Sequence, residues 1–244
     1  MTRRPPRYRW DMSGIVIIGG AAEARDLAAA LPDACVRLTA HERVAQSWTN
    51  PLSHGPVTAD WLRATGARAV IEAAHPCDAA TAFAAARAAA QLGLPRLQLL
   101  RPPWQPGPRD RWTALPRPEA AGHVIPASAR VLITLGRAEL SALRPLRATA
   151  LVRRIGPAPT GFPLRRGRYL RSQGPFTVAH EIALLRRNRI DWLLLRNAGG
   201  PGGWPKLAAA RHLGLPVAMV DRPRRPGGPR VQTIEEALAW LPRL

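Results

Sequence analysis

Glycine, histidine and lysine residues in this 244-residue chain occur at spacings that favour ligand chemistry, beginning with a Gly-Gly turn. Gly19-Gly20 directly follows the apolar run of residues 15–18, and Glu23 lies at the start of the Ala/Leu-rich segment behind it. Glycine after a strand lets the backbone approach a phosphate, and the N-terminus of the following helix favours negative charge. Gly19, Gly20 and Glu23 are therefore predicted to form a nucleotide-binding turn, although a Gly-Gly pair also occurs in ordinary tight turns.

A second strand is predicted over residues 35–38, and its end should meet the ribose of such a nucleotide, roughly 20 residues beyond the turn. The chain offers Glu42 and Arg43 there. Glu42 could accept a hydrogen bond from a ribose hydroxyl, whereas Arg43 or Arg37 could pair with a 2′-phosphate. The spacing leaves both alternatives open.

His75-Pro76 follows a third apolar strand, which places a histidine at the carboxyl end of a sheet, where ligands bind in open α/β folds. This imidazole could donate a proton or bind a carboxylate. The alternative is a helix-entry turn whose imidazole is satisfied within the protein. No second histidine or acid lies at metal-ligand spacing, so we predict no metal site.

Glycine turns in the second half of the chain are each predicted to follow a strand, which would bring them to one edge of a second sheet. They are Gly136-Arg137, Gly174-Pro175-Phe176 and Arg196-Asn197-Ala198-Gly199-Gly200. Backbone amides together with Arg137 and Arg196 would form a carboxylate-binding rim, although single glycines commonly serve only as turns. Lys206 is the only lysine in the sequence, which is consistent either with a need for a compact donor or with chance.

The elements that would position these residues alternate between short aliphatic strands and helices, which predicts an α/β fold. We expect two small Rossmann-like parallel-sheet domains that face each other across a cleft. The boundaries predicted are 12–126 for a cofactor-binding domain and 127–244 for a substrate-side domain. The segment 102–118 is too proline-rich for a helix and is predicted to be an ordered crossing loop or linker.

Composition limits the possible partners. The chain has 36 basic and 16 acidic residues and a formal net charge of +20, but its arginines are scattered rather than grouped with aromatic residues. This predicts an acidic ligand, without nucleic-acid or membrane binding. The two cysteines are too few for a disulfide framework, so we expect a cytoplasmic protein in a reducing compartment. Nothing in the sequence indicates a large exposed apolar face, so we expect a monomer.

Taken in order, these turns resemble the precorrin-6A reductase family of cobalamin biosynthesis, which includes cobalt-precorrin-6A reductases. The resemblance rests on the Gly19-Gly20 turn, His75-Pro76, the Gly136-Arg137 and Gly174-Pro175-Phe176 turns, the Asn197 and Gly199-Gly200 loop, Lys206-Leu207, and the segment Arg101-Pro102-Pro103-Trp104. It covers the chain from about residue 15 to about residue 220.

The resemblance implies reduction of precorrin-6A, or its cobalt form, to precorrin-6B by hydride transfer from NADPH to the tetrapyrrole. It implies that Gly19, Gly20, Glu23 and Arg43 bind the cofactor and that His75 and Lys206 are catalytic. The substrate contacts it implies are Gly136, Arg137, Gly174, Arg196, Asn197, Gly199 and Gly200.

Several hydroxyl-bearing residues of the family pattern are replaced, for example by Ala21, Ala74 and Leu135. The alternative is therefore a divergent tetrapyrrole carrier that has lost hydride transfer. The proton donor is left open among His75, Arg137 and Lys206.

Overall fold

The computed structural model describes residues 14–40, 48–156, 160–174 and 176–243. They divide into two compact units. The first comprises the described residues of Met1–Arg101 and Pro223–Leu244, and the second is Pro102–Arg222. Each unit contains one sheet of six parallel strands, which confirms the predicted α/β class with two parallel-sheet domains.

The strand order of the first sheet creates a crevice between two loops. Its strands are β1 (Ile15–Gly19), β2 (Cys35–Leu38), β3 (Leu52–His54), β4 (Ala69–Glu72), β5 (Arg96–Leu99) and β12 (Arg230–Val231), and its helices are α1 (Ala22–Ala30), α2 (Ala59–Ala64), α3 (Ala79–Gln91) and α7 (Ile234–Trp240). The strand order is β12-β5-β4-β1-β2-β3. Along the chain, β2 and β3 are added on one side of β1, whereas β4 and β5 are added on the other side. The turns that follow β1 and β4 therefore flank a topological switch point.

Strand β1 is apolar throughout because helices cover both of its faces. Ile15 and Ile17 pack in the cluster that includes α1 and α7, whereas Val16 and Ile18 pack in the cluster that includes α2 and α3. Side chains alternate between the two faces of a strand, so a strand buried on both sides needs an unbroken apolar run. This burial fixes the position of the glycine turn that follows β1.

The second sheet repeats the same order with a different set of strands. These are β6 (Arg111–Leu115), β7 (Arg130–Ile133), β8 (Thr149–Arg154), β9 (Gly167–Arg171), β10 (Trp192–Arg196) and β11 (Pro216–Val220), and the helices are α4 (Ala121–Val124), α5 (Val178–Arg187), α6 (Trp204–Leu213) and the 3₁₀ helix Arg137–Leu143. The strand order is β6-β11-β10-β7-β8-β9. Its switch point therefore lies between β7 and β10.

Each sheet has one edge strand that comes, in the sequence, directly after the strands of the other sheet. Strand β6 comes after β5 but pairs with β11, and β12 comes after β11 but pairs with β5. The prediction that 102–118 is a crossing loop or linker is wrong for 111–115, because these residues form a strand in which Trp112 and Ala114 lie in register with Val217 and Met219. The division at 102 and 223 also differs from the predicted boundary near 126, because long-range strand pairing determines the units.

Three helices begin directly after residues of types that are preferred at helix N-caps. The side chains of Asp78, Thr177 and Thr233 accept hydrogen bonds from the first turns of α3, α5 and α7 at 3.0, 3.2 and 3.2 Å. Such caps satisfy amide groups that have no partner within the helix. No helix in the described ranges is long and apolar enough to cross a membrane.

Candidate functional site

The turn between β1 and α1 lies against the turn between β4 and α3. The amide of Ala21 donates to the carbonyl oxygen of Ala73 at 3.0 Å. A Cβ on Gly20 would stand 3.0 Å from the amide nitrogen of His75 and 3.3 Å from the Cα of Ala74, and Gly20 has a φ of +154°. Glycine is therefore needed here both for the close approach and for the backbone conformation.

The residues of the β1–α1 turn fit a phosphate group. Ala21 occupies the N-cap of α1 and makes no side-chain cap hydrogen bond, so no N-cap side chain competes for the first-turn amides of α1. A Cβ on Gly19 would lie 2.7 Å from Cδ2 of Leu38, which shows how tightly β2 packs against this turn. A glycine cradle at a helix N-terminus is the arrangement that accepts a diphosphate in dinucleotide sites.

Glu23, predicted to contact the cofactor, is paired with Arg101. The distance between Arg101 Nη1 and Glu23 Oε2 is 2.6 Å, and the two side chains are 13% and 21% exposed. A free carboxylate in the first turn of α1 would repel a phosphate, and the guanidinium neutralises that charge. The structure thus places Glu23 beside the turn in an ion pair that links it to the Arg101-Pro102-Pro103-Trp104 segment.

The turn after β4 carries His75 with a defined tautomer. His75 Nδ1 accepts a hydrogen bond from the amide of Cys77 at 3.2 Å, so the neutral imidazole has its proton on Nε2. The carboxylate of Glu72, fully buried at the end of β4, accepts from the amide of Ala74 at 2.9 Å and pairs with Arg225. Sequence reasoning missed both charged partners of this turn.

In the second unit, the turn after β7 is held by an acid and an arginine. Glu139 Oε2 accepts from the amide of Gly136 at 3.0 Å, and Glu139 Oε1 pairs with Arg196. Arg196 also donates to the carbonyl oxygen of Asp221 at 2.7 Å. Arg196 therefore anchors the Gly136 turn, while Arg137, the next residue, is exposed.

The loop after β10 binds a segment of the chain itself. Asn197 accepts from the amide of Trp104 at 2.8 Å and donates to the carbonyl oxygen of Trp104 at 2.9 Å, and the Trp104 indole donates to Gly200 at 2.9 Å. Gly199 has a φ of +69°, and a Cβ there would lie 2.2 Å from the carbonyl oxygen of Pro102. Asn197, Gly199 and Gly200, predicted as substrate contacts, thus clamp residues 102–104.

Lys206 lies near the start of α6 close to a buried ion pair. Arg153 at the end of β8 and Glu181 on α5 form two hydrogen bonds of 2.6 and 2.8 Å, with side chains 5% and 1% exposed. Lys206 Nζ donates to the carbonyl oxygen of Gly203 at 3.1 Å. Burial lowers the pKa of Lys206 to about 8, an effect that Glu181 opposes and Arg153 reinforces. We call Arg153, Glu181 and Lys206 the buried charge cluster.

The turn at Gly174 leads into this cluster. Gly174 is exposed, and the guanidinium of Arg153 lies 4.8 Å from the ring centroid of Phe176. A cation over an aromatic face is stabilised by the ring quadrupole. The predicted glycine turns after β7, β9 and β10 all lie at the carboxyl edge of the second sheet because its strands are parallel.

Two pockets lie in the second unit. One of about 810 Å³ is lined by Asp110, Arg111 and Arg211 among others, and none of the predicted site residues lines it. Another of about 390 Å³ is lined by Arg137, Phe162 and other residues. Arg137 is the one predicted site residue among those that line the second pocket.

Two sequence predictions concern metals and the ribose phosphate. Within the described ranges no group of three histidine, cysteine or acidic side chains could hold a metal ion. Arg43, predicted to bind the 2′-phosphate, and its competitor Glu42 lie outside the described residues.

The fold and its turns define the class of protein: a pair of doubly wound α/β units, each with glycine turns at the carboxyl edge of a parallel sheet, the place where such folds bind ligands. A family model described as precorrin-6x reductase CbiJ/CobK matches residues 14–242. The chain belongs to this family and is an oxidoreductase of that class.

Individual relatives agree with this assignment. The precorrin-6A reductase of Rhodococcus erythropolis is 37% identical over 246 residues, covering 94% of this chain and 98% of the relative. That of Rhodobacter capsulatus is 35% identical over 244 residues, covering 94% and 96%. The solved structure of CobK precorrin-6A reductase superposes with a TM-score of 0.85 at 33% identity and covers 95% of this chain and 97% of its own.

Proposed function

We propose that this protein reduces precorrin-6A to precorrin-6B with NADPH, in cobalamin biosynthesis. The observation that carries the proposal is the family match over residues 14–242, which spans both units and every described turn predicted from the sequence. A bound nicotinamide would supply the hydride. The protein's part is to bind, orient and protonate, because hydride transfer needs little covalent help from side chains.

The first unit holds the cofactor in this proposal. The Gly19-Gly20 turn and the first-turn amides of α1 accept the diphosphate, and Glu23 contributes indirectly through its ion pair with Arg101. We assign the 2′-phosphate to Arg43, which makes NADPH the preferred nicotinamide cofactor. His75, with its proton on Nε2, is a donor toward cofactor or substrate at the same switch point.

The second unit binds the substrate carboxylates in this proposal. The exposed guanidinium of Arg137 is the direct contact, supported by the backbone of the Gly174 turn, while the amide of Gly136 is already bound by Glu139 and orients Arg137. Arg196 fixes the Gly136 turn through Glu139, and Asn197 with Gly199 and Gly200 fixes the Trp104 segment. These four residues then act by positioning rather than by contact.

Lys206 is the proton donor in this proposal. Its lowered pKa of about 8 means that the ammonium is protonated at neutral pH yet releases its proton more readily than an ordinary lysine. Lys206 would donate a proton to the carbon next to the one that receives the hydride a bound NADPH would supply, and Lys206 would regain its proton from solvent.

The activity is tested by titrating the purified protein with NADPH and NADH, following nicotinamide fluorescence, and then adding precorrin-6A. We expect tighter binding of NADPH and oxidation that depends on precorrin-6A. A protein that binds precorrin-6A without oxidising NADPH would instead be a carrier. Absence of binding to either nucleotide would contradict the proposal as a whole.

The glycine cradle gives a specific prediction. Gly20→Ala is expected to raise the Kd for NADPH about tenfold, because displacing the turn from the His75 amide loses roughly one charge-assisted hydrogen bond to phosphate. Gly66→Ala is the matched control, since Gly66 has a φ of +65° but nothing within 4 Å of a Cβ. Fluorescence titration of both variants measures the effect. Equal affinities in the two variants would show that the cradle does not contact the cofactor.

A further inference from the structure

A buried arginine from the C-terminal segment of the first unit holds the turn that follows β4. Arg225 has a side chain 3% exposed and pairs with Glu72, which is 0% exposed. We propose that Arg225 and Glu72 form a positioning pair that sets the conformation of the His75-Pro76 turn and thereby the affinity for the nicotinamide cofactor. This inference rests on the proposed function, and it assigns a role to residues that contact neither cofactor nor substrate.

The contacts of Arg225 converge on one turn. Its Nη1 lies 3.3 Å from the carbonyl oxygens of both His75 and Pro76, while its Nη2 donates to Glu72 Oε2. The other oxygen of Glu72 accepts from the amide of Ala74 at 2.9 Å. The pair therefore fixes the turn through three backbone groups. Arg225 contacts the carbonyl oxygens of His75 and Pro76, and Glu72 binds the amide of Ala74.

The same turn supports the glycine cradle. Ala73 accepts from the amide of Ala21 at 3.0 Å, and Gly20 packs on Ala74 and His75. A shift of the β4–α3 turn would move the β1–α1 turn with it, because the Ala21–Ala73 hydrogen bond and the close packing of Gly20 couple the two turns directly. Arg225 thus acts on the cradle through one intervening turn.

The geometry requires a guanidinium rather than any cation. Arg225 reaches a carboxylate and two carbonyl oxygens at once, and the distance from its Nε to Gln98 Oε1 is 3.5 Å. A planar fork with several fixed donors can serve these acceptors together, whereas the ammonium of lysine is a single compact charge. R225K would keep the charge opposite Glu72 and lose the simultaneous contacts to the turn.

The test compares R225K with R224K, its neighbour in sequence, whose side chain is exposed. We expect R225K to raise both the Kd and the KM for NADPH about tenfold while kcat at saturating NADPH changes by less than about threefold, since a displaced binding turn mainly weakens ground-state binding. R224K is expected to behave as wild type. A general loss of folding would lower the amount of active protein and leave the KM unchanged.

A second measurement uses the wild-type protein, so that it does not depend on the stability of R225K. Hydrogen exchange at the amide of Ala74, which donates to Glu72, is expected to slow at least about threefold when NADPH binds, since binding stabilises the turn. Wild-type affinity in folded R225K, or unchanged exchange at this amide, would overturn the positioning role alone. Failure of wild-type protein to bind NADPH would overturn the proposed function as well.

Discussion

Lys206→Met is expected to lower kcat for precorrin-6A reduction at least about 100-fold, because removing a positioned proton donor typically costs that much. Binding of NADPH should change little, since Lys206 belongs to the second unit. In the wild-type protein kcat should fall as pH rises through about 8, where Lys206 loses its proton. Steady-state kinetics from pH 6 to 10 measures both effects. The residual kcat of the variant should not show the fall near pH 8.

The same substitution is expected to stabilise the fold at pH 7. The unfolded chain keeps the Lys206 proton up to the ordinary lysine pKa of 10.5, whereas the folded chain loses it near pH 8. Protonated Lys206 therefore destabilises the folded state, and this cost declines as pH rises from 8 to 10.5. Methionine avoids it, so the free energy of unfolding should rise by on the order of 2 kcal/mol at pH 7, with a smaller gain at pH 10.

Arg186→Met is the matched control, because Arg186 is exposed in the last turn of α5. It should leave kcat unchanged and slightly lower stability, through loss of a favourable charge near a helix C-terminus. Near-native turnover by Lys206→Met would contradict the role of Lys206 as proton donor. A loss of stability at pH 7 would contradict the unfavourable burial of its charge.

Glu181→Gln is expected to destabilise the second unit by about 3 kcal/mol or more, since removing one member of a buried ion pair leaves the other charge uncompensated. Glu181 is the acid of the buried charge cluster, and it binds Arg153 with both carboxylate oxygens. Its loss would also lower the pKa of Lys206 further, because Glu181 is the charge that raises it. The variant should therefore be less stable, and its kcat should begin to fall at a lower pH than that of the wild-type protein.

Chemical denaturation measures the stability change, and the double variant Arg153→Met, Glu181→Leu separates its causes. Replacing both charges with apolar side chains should recover much of the loss, because no unpaired charge is left buried. Equal instability of the single and double variants would indicate that packing rather than charge compensation accounts for the effect. An unshifted pH profile in Glu181→Gln would show that Glu181 does not act on Lys206.

The parts of the fold that could be predicted are those determined by local sequence. The apolar run of β1 and the caps at Asp78, Thr177 and Thr233 depend on burial and hydrogen bonds within a few residues. The glycine turns could be assigned to the carboxyl edge because each was predicted to follow a strand of a parallel sheet, and such a turn lies at that edge whatever the strand order.

The parts that could not be predicted depend on contacts distant in sequence. Strand β6 lies among prolines and is exposed over much of its length, so only its register with β11 makes it a strand. The partners of predicted site residues were hidden for the same reason: Asn197 binds Trp104, and the turn that carries His75 is held by Arg225. A charged residue ending an apolar strand, as Glu72 does, was the one local signal available.

The most direct test of the account is a single turnover with NADPH carrying deuterium at the transferred position, followed by mass analysis of the tetrapyrrole. The account predicts that precorrin-6A gains one deuterium from NADPH and one hydrogen from solvent, with NADPH oxidised in equal amount. A tetrapyrrole that is bound by the protein but recovered unchanged in mass, with NADPH not oxidised, would contradict it.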